Sequence, residues 1–152
     1  MKKFFIFLLF ASAAHAQTIA PPTAELSAKP GKSVRNSFQV QNDALQPVAF
    51  VIESYSVTFD SPGPHYHALD PGMVVETSQS SGRLSPKEIH RIDYKISCLA
   101  LPCAVAIKTG MVTGHTKDGL QVRTILNHFV YLALSKHPRQ DILMAAGLMQ
   151  KK

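Results

Sequence analysis

Hydrophobic and polar residues alternate along much of this chain, which is the pattern of a β-strand that buries one face. In Arg91–Cys98 every even-numbered residue is apolar and every odd-numbered residue is polar or charged. Val34–Gln41 alternates in the same way, except that Asn36 falls among the apolar positions. These two runs predict strands of a sheet that has one face in the core and the other in water.

A longer run, Val48–Phe59, is rich in β-branched and aromatic residues and predicts a long strand. Its apolar positions change phase, because an even-numbered set ends at Ile52 and an odd-numbered set begins at Tyr55. One extra residue in a strand shifts the phase in this way. We therefore expect a bulge or a bend near Glu53 and Ser54.

Further strands are predicted where apolar positions recur between turn-forming residues. They are a short edge strand at Ala24–Ala28, a short strand at Val74 and Val75, a strand at Val105–Met111 and a last strand at Leu120–Leu134. Ser61–Gly72 and Gln79–Gly82 are predicted loops, and Gly114–Gly119 is a predicted hairpin turn. The pattern indicates an all-β fold, an immunoglobulin-like β-sandwich of about seven strands.

The first 16 residues have the three regions of a secretory signal peptide. Lys2 and Lys3 supply the positive region, Phe4–Ala14 is apolar, and a small-x-small site predicts cleavage after Ala16. The apolar run is shorter than the roughly 20 residues that cross a bilayer. We expect an exported protein with no membrane insertion after the leader is removed.

The remainder of the chain is predicted to have two parts. Residues 17–134 form the immunoglobulin-like domain, and residues 135–152 form a C-terminal tail. Within the tail, Asp141–Gln150 is compatible with a short helix that has Asp141 near its start. The alternative is a frayed terminus.

The two cysteines, Cys98 and Cys103, are separated by four residues. In an oxidising compartment such a pair predicts a disulfide. The alternative is a redox or metal pair, but the spacing differs from the two residues of a thioredoxin-type motif. A structural disulfide is therefore the preferred interpretation.

The net charge does not point to nucleic acid. Outside the leader the chain has 14 Lys and Arg residues against 10 acidic residues, a net charge of +4. The basic residues are scattered and lack interleaved aromatic residues, so no nucleic-acid partner is expected.

Side chains that carry out chemistry are present but not arranged in a known signature. The sequence has no nucleophile elbow, phosphate loop or HExxH motif, so neither an enzyme nor a cofactor is expected. His65 and His67 would point the same way on a strand, and a small metal carrier is one alternative. No third ligand is evident for a zinc site, so we expect no metal.

An ordered set of short motifs resembles the N-terminal domain of the PapD-like periplasmic pilus chaperones. The set comprises Pro30–Val34, Gln41-Asn42 at the end of a strand, Pro47-Val48 at the start of the next, Leu84–Pro86, and Leu120–Leu132 as the final edge strand. The resemblance covers residues 24–134.

The resemblance implies both a fold and a role. Members of that family have two immunoglobulin-like domains, and the first donates its last strand to an incomplete pilus-subunit fold by β-augmentation. They hold the carboxylate at the subunit's C-terminus with an Arg in the first strand and a Lys late in the last strand. The matching positions here are Leu26 and His128, and 18 residues follow Leu134, too few for a second domain.

We therefore expect a periplasmic chaperone or accessory protein of pilus or surface-fibre assembly. Its partner would be a pilus subunit-like or other exported protein, bound as an extended strand or an incomplete fold. The alternative is a structural or adhesive surface domain without chaperone activity. The candidate partner-binding residues are Val122, Thr124, Leu126, His128 and Val130.

Overall fold

The structure is a computed structural model that describes residues 17–113 and 121–150. The strands are β1 (Thr18–Ala20), β2 (Thr23–Ser27), β3 (Val34–Gln41), β4 (Val48–Asp60), β5 (Gly63–His67), β6 (Met73–Thr77), β7 (Ser81–Leu84), β8 (Ile89–Cys98), β9 (Cys103–Thr113) and β10 (Arg123–Ala133). One helix, α1 (Pro138–Ala145), follows β10. The predicted signal peptide, the Gly114–Gly119 turn and Leu120 lie outside the described residues.

The strands form two sheets that pack face to face. The first sheet has the order β1-β3-β8-β6, and the second has the order β2-β10-β9-β4-β5, with β7 also paired to β4. All pairings are antiparallel except the parallel pairing of β2 with β10. The predicted immunoglobulin-like all-β sandwich is confirmed.

The core lies between the two sheets and is built from alternate residues of each strand. In β8 the even-numbered residues from Ile92 to Cys98 are buried, as the alternation of this run predicts. The largest fully buried side chains include Phe38, Leu84, Ile92, Ile96, Ile107, Met111 and Leu132. Burial of this apolar surface is the main term that holds the two sheets together.

A second, smaller cluster lies on the outer face of the second sheet. It consists of Val57, Ala104, Ala106, Tyr131 and Ile142, the last of which belongs to α1. Helix α1 thus covers part of a sheet face that would otherwise meet water.

The second cluster explains the change of phase in β4. Nine consecutive residues of β4, Val48 to Ser56, pair with β9 without an extra residue, so of the predicted bulge or bend near Glu53 and Ser54 the bulge is absent. The first half of the strand buries its inner face in the main core, whereas Val57 in the second half is buried on the outer face. The apolar positions move from one face to the other because a different face is covered.

Two predicted loops contain strands. β5 lies within Ser61–Gly72, and β7 overlaps Gln79–Gly82; both pair with the same edge of β4. Main-chain hydrogen bonds form such edge strands without apolar alternation. Gly82 also lacks a side chain for a packing reason, since a Cβ there would lie 2.7 Å from the ring of Phe50.

The tail contains a short helix that overlaps the predicted range at residues 141–145 only, and the two cysteines are bonded to each other. The helix begins at Pro138, three residues before the predicted Asp141, because a proline suits the first turn, where its missing N–H is not needed. Ile142 packs into the second cluster. Cys98 and Cys103 form the predicted disulfide, which closes the loop between β8 and β9.

Asn42 joins two loops at one end of the sandwich and is fully buried. Its side-chain amide donates to the carbonyl oxygens of Gln46 at 2.8 Å and Ser85 at 3.0 Å. Its main chain donates to the carbonyl of Glu88 at 3.0 Å and accepts from the N–H of Lys87 at 2.8 Å. A single side chain therefore fixes the turn after β3 against the turn after β7.

Candidate partner-binding edge

The last strand, β10, has two halves with different neighbours. Along Arg123–Leu132 it pairs with β9 on one side. On the other side β2 pairs only with Phe129–Ala133. Among the described residues, no strand pairs with Arg123–His128 on that side, and we call this segment the open half.

The alternation of an antiparallel ladder shows which main-chain groups of the open half point outward. The N–H of Phe129 donates to the carbonyl of Pro22 at 2.9 Å, on the side away from β9. The carbonyl of Val122 accepts from the N–H of Thr113 at 3.3 Å, on the β9 side. Because the two main-chain groups of a residue point to the same side and the side alternates along the strand, the N–H and C=O groups of Arg123, Ile125 and Asn127 point away from β9.

The five sequence-predicted partner residues lie on the inner face of β10 or just before the strand. Val122 is 48% exposed, and Thr124 and Leu126 are half-buried. His128 and Val130 are fully buried in the core. A partner can therefore reach the first three side chains in this packing but not the last two. The part of all five in binding stays a prediction.

Sequence reasoning missed Ile125, which lies on the outer face and is 53% exposed. It is a large apolar side chain next to outward-pointing main-chain groups. Its odd-numbered position in the strand was the signal that separated it from the inward-facing set. Which half of the strand is open depends on where β2 begins, because its first residue, Thr23, pairs with Phe129, and this is a property of the tertiary structure.

His128 is the centre of a buried polar group. Its Nδ1 donates to the carbonyl of Pro21 at 2.7 Å, and its Nε2 accepts from the Tyr94 hydroxyl at 3.1 Å. Its ring stacks on Phe38 with 4.8 Å between centroids. Burial lowers the pKa of His128, and burial raises the pKa of Tyr94, so the imidazole stays neutral and the phenol keeps its proton.

The two positions that match the family's carboxylate clamp hold no exposed cation. Both ring nitrogens of His128 are occupied inside the core. Leu26 packs against the main core from β2. A partner's terminal carboxylate would find no positive charge on either side chain.

The outer face of the sheet next to the open half carries both aromatic rings and charged side chains. The Lys108 ammonium lies 3.4 Å from the ring centroid of Tyr66 and 4.8 Å from that of Tyr55. Nη2 of Arg123 lies 3.9 Å from the carboxylate of Glu53, and the two side chains are 58% and 50% exposed. An exposed ion pair of this kind contributes little to stability and leaves both charges able to meet a partner.

The two histidines of β5 are paired with acidic residues. Nε2 of His65 lies 2.6 Å from the carboxylate of Asp60, and Nδ1 of His67 lies 3.5 Å from that of Asp70. Within residues 17–113 and 121–150, no group of three or more potential ligands is placed to hold a metal ion.

No helix in residues 17–113 and 121–150 could span a membrane. Helix α1 has eight residues, which are too few to cross a bilayer.

Solved structures with this arrangement of strands are similar over most of the chain. One is the ASH/PapD-like domain 7 of human CEP192, with a TM-score of 0.54 and 11% identity over 88% of this chain and 96% of that one. The fold is PapD-like. The resemblance predicted from the sequence motifs is thus confirmed at the level of the fold.

PapD-like fimbrial chaperones are among the similar structures. The class 5 fimbriae chaperone CfaA gives a TM-score of 0.56 and 16% identity over 80% of this chain and 57% of that one. The Salmonella enterica SafA pilin in complex with the SafB chaperone gives a TM-score of 0.59 and 9% identity over 83% of this chain and 58% of that one. The chain spans a little more than half the length of these two matched chains. No protein-family model and no curated protein matches the sequence.

Proposed function

We propose that this protein holds an extended segment of another exported protein as an added strand beside the open half of β10. In this role it is a chaperone or an accessory protein in the assembly of pili or other surface fibres. The site performs binding rather than catalysis.

The outward main-chain groups of the open half carry this proposal. An unpaired strand edge is a template for another strand, and main-chain hydrogen bonds supply the docking. An added strand would lie in line with β2 and would meet Pro22 where the β2 pairing begins. Between Arg123 and Asn127 there is room for a short segment of about five residues at ~3.4 Å each.

Side chains on both faces suit an apolar partner segment. On the outer face, Ile125 offers an exposed apolar surface. On the inner face, the half-buried Leu126 lies at the end of the core, where an alternate partner side chain would extend the packing. An added strand therefore gains apolar contacts on each side of its backbone.

The similar structures support a protein partner. SafB is a chaperone in complex with the SafA pilin, and CfaA is a fimbriae chaperone. The Cys98–Cys103 disulfide suits an exported protein. The periplasmic location and cleavage after Ala16 remain part of the proposal.

The test replaces one outward N–H of the open half. Ile125→Pro removes that donor without touching the ladder to β9, and proline is tolerated on edge strands. Ile125→Thr keeps the donor and the β-branched side chain, so it is the matched control. Affinity-tagged forms of both variants and of the wild type would be purified from the periplasm of the native cells, and captured proteins identified by mass spectrometry.

We expect the wild type and Ile125→Thr to capture a common exported partner and Ile125→Pro to lose it. The thermal midpoints of all three proteins should be measured first, so that a loss of capture is not a loss of folding. Capture of the same partner by Ile125→Pro at wild-type level would overturn strand addition at this edge.

A second candidate function is a structural or adhesive domain without chaperone activity. The specific observation in its favour is the pair Leu26 and His128, which places no exposed cation at the two clamp positions. The match to a whole PapD-like domain of CEP192 agrees with a role outside pilus assembly. This function predicts that Ile125→Pro changes no partner that the wild type binds.

A further inference from the structure

A cavity of about 340 Å³ lies at the end of the sandwich opposite the open half. Its walls come from the end of β4, the Asp70–Met73 turn, the disulfide loop and the helix α1. Phe59, Leu99 and Ile142 are among the side chains that line it. None of the five predicted partner residues contributes to this site.

The size and lining of the cavity limit what it can hold. Apart from Asp70 and Thr58, its lining side chains are apolar, or are cysteines joined in the disulfide. An apolar cavity of about 150 Å³ binds benzene, so one of 340 Å³ has the volume for a bicyclic aromatic body. Met73 adds a polarizable sulfur, which packs well against aromatic rings.

Asp70 is the single charged side chain of the lining. Its main-chain N–H donates to the hydroxyl of Ser56 at 2.9 Å, which fixes the turn at the rim of the cavity. Its side chain is 56% exposed and its carboxylate lies 3.5 Å from Nδ1 of His67, so a cationic ligand at the rim would share the carboxylate with that imidazole. A negative group at the rim of an apolar cavity is complementary to a protonated amine on an apolar body.

Helix α1 forms one wall of the cavity. The helix has eight residues, and its buried side chains are Pro138 and Ile142. Ala145 and Ala146 also line the cavity, and both are exposed to solvent. The cavity is therefore open to solvent beside the end of this helix, which gives a ligand access.

We propose that this cavity binds a small aromatic amine, with the rings between α1 and the disulfide loop and the ammonium group beside Asp70. The site is separate from strand addition at β10, and it would bind its ligand whether or not that function is correct.

Three naphthalene probes of equal size and different charge test the proposal. They are 1-naphthylmethylamine, 1-naphthalenemethanol and 1-naphthoate, which are cationic, neutral and anionic at pH 7. The protein contains no tryptophan, so naphthalene fluorescence is observed against a low background. We expect the amine to bind tightest, the alcohol about two- to fivefold more weakly because the carboxylate is half exposed, and the acid weakest.

Variants locate the binding. Ala145→Trp places an indole at the exposed rim of the cavity and should block binding, whereas Gln140→Leu, an exposed change on the same helix outside the lining, should leave it unchanged. Asp70→Asn should bring the amine to the affinity of the alcohol. If Ala145→Trp does not fold, the methyl NMR signal of Met73 in the wild type replaces it, and this signal should shift on addition of the amine.

Three results would overturn the proposal. The first is that no probe binds at millimolar concentration. The second is that Ala145→Trp binds as the wild type does or, where the NMR measurement replaces that variant, that the Met73 signal does not shift. The third is that the amine and the alcohol bind equally to the wild type, which would remove the role of Asp70 and with it the choice of a cation.

Discussion

The two halves of β10 belong to one strand and share one neighbour, β9, yet they differ in what lies on their other side. Phe129–Leu132 is paired with both β9 and β2, whereas the open half, Arg123–His128, is paired with β9 alone among the described residues, although β1 lies near this strand. In the covered half the outward main-chain groups are used within the domain. In the open half the same groups are free for another chain, so the limited length of β2 turns one end of a structural strand into a candidate binding site.

The residue types of the two halves do not reveal this difference. Both halves contain large apolar residues on both faces, as Ile125 and Leu126 show in one half and Tyr131 and Leu132 in the other. What separates them is a parallel strand contributed by residues 23–27, roughly a hundred positions earlier. The predictions below test the contrast between the halves, from the largest expected effect to the smallest.

Amide hydrogen exchange should separate the halves most strongly. The outward N–H groups of Ile125 and Asn127 face no described strand, whereas that of Phe129 donates to Pro22. We expect the first two to exchange faster than Phe129 and Tyr131 by a factor of about 10³ or more, because core-strand amides open only with free energies near that of global unfolding. NMR exchange of the free protein measures this. Equal protection in both halves would mean that another part of the chain covers the open edge.

Truncating a side chain in each half should give unequal losses of stability. Leu132 is fully buried, so Leu132→Ala should lower the free energy of unfolding by about 2–5 kcal/mol. Ile125 is more than half exposed, so Ile125→Ala should cost less than about 1 kcal/mol. Urea denaturation of the two variants measures both values. A cost for Ile125→Ala close to that of Leu132→Ala would contradict the open half as described.

His128, at the boundary between the halves, should make stability depend on pH. Burial lowers its pKa in the folded protein below the unfolded value of about 6.5. The unfolded state therefore binds more protons in the window between those two values, so stability is full above pH 6.5 and is lost as the pH falls towards the folded-state pKa. The contribution is at most about 1.4 kcal/mol per pH unit.

Replacement of His128 by glutamine isolates this contribution. His128→Gln should have a lower stability at pH 7 but a shallower loss between pH 7 and pH 5 than the wild type. His137→Gln, which changes an exposed histidine, should keep the wild-type slope. Thermal midpoints across this pH range provide the measurement, and an unchanged slope in His128→Gln would show that another group titrates.

The smallest effect should come from Thr124, on the inner face of the open half. Its hydroxyl donates to the side-chain carbonyl of Gln17 at 3.1 Å, in a partly buried position. Thr124→Val keeps the shape and the β-branched character but loses this hydrogen bond, so we expect a loss of about 1 kcal/mol or less. A loss well above that, in the same denaturation experiment, would mean that the residues before β1 hold the open half in place.

The local pattern of residues was sufficient to predict the sandwich, the buried face of β8 and the disulfide, because the signals for each lie within short stretches of sequence. It failed where a distant segment decides which face is covered. The phase change in β4 predicts a bulge or a bend from the sequence, but it arises because α1, some 80 residues later, covers the face that carries Val57. β5 and β7 were missed because their partner is the backbone of β4.

The candidate site shows the same division. The choice of the last strand as the candidate interacting element follows from its apolar character. The burial of His128 did not, because it depends on the Pro21 carbonyl and the Tyr94 hydroxyl, which lie far away in the sequence. The sequence also did not show that the main-chain groups of Ile125 point away from β9, because this direction follows from the register of the pairing with β9.

Asn42 also bears on how the domain can change over evolution. It ties the turn after β3 to the turn after β7 through one buried amide, so the lengths of these two loops are linked. An insertion in one loop would pull the amide away from the other, and the two would have to vary together. Variation in loop length should therefore be concentrated elsewhere, for example in the connection between β5 and β6, which this amide does not join.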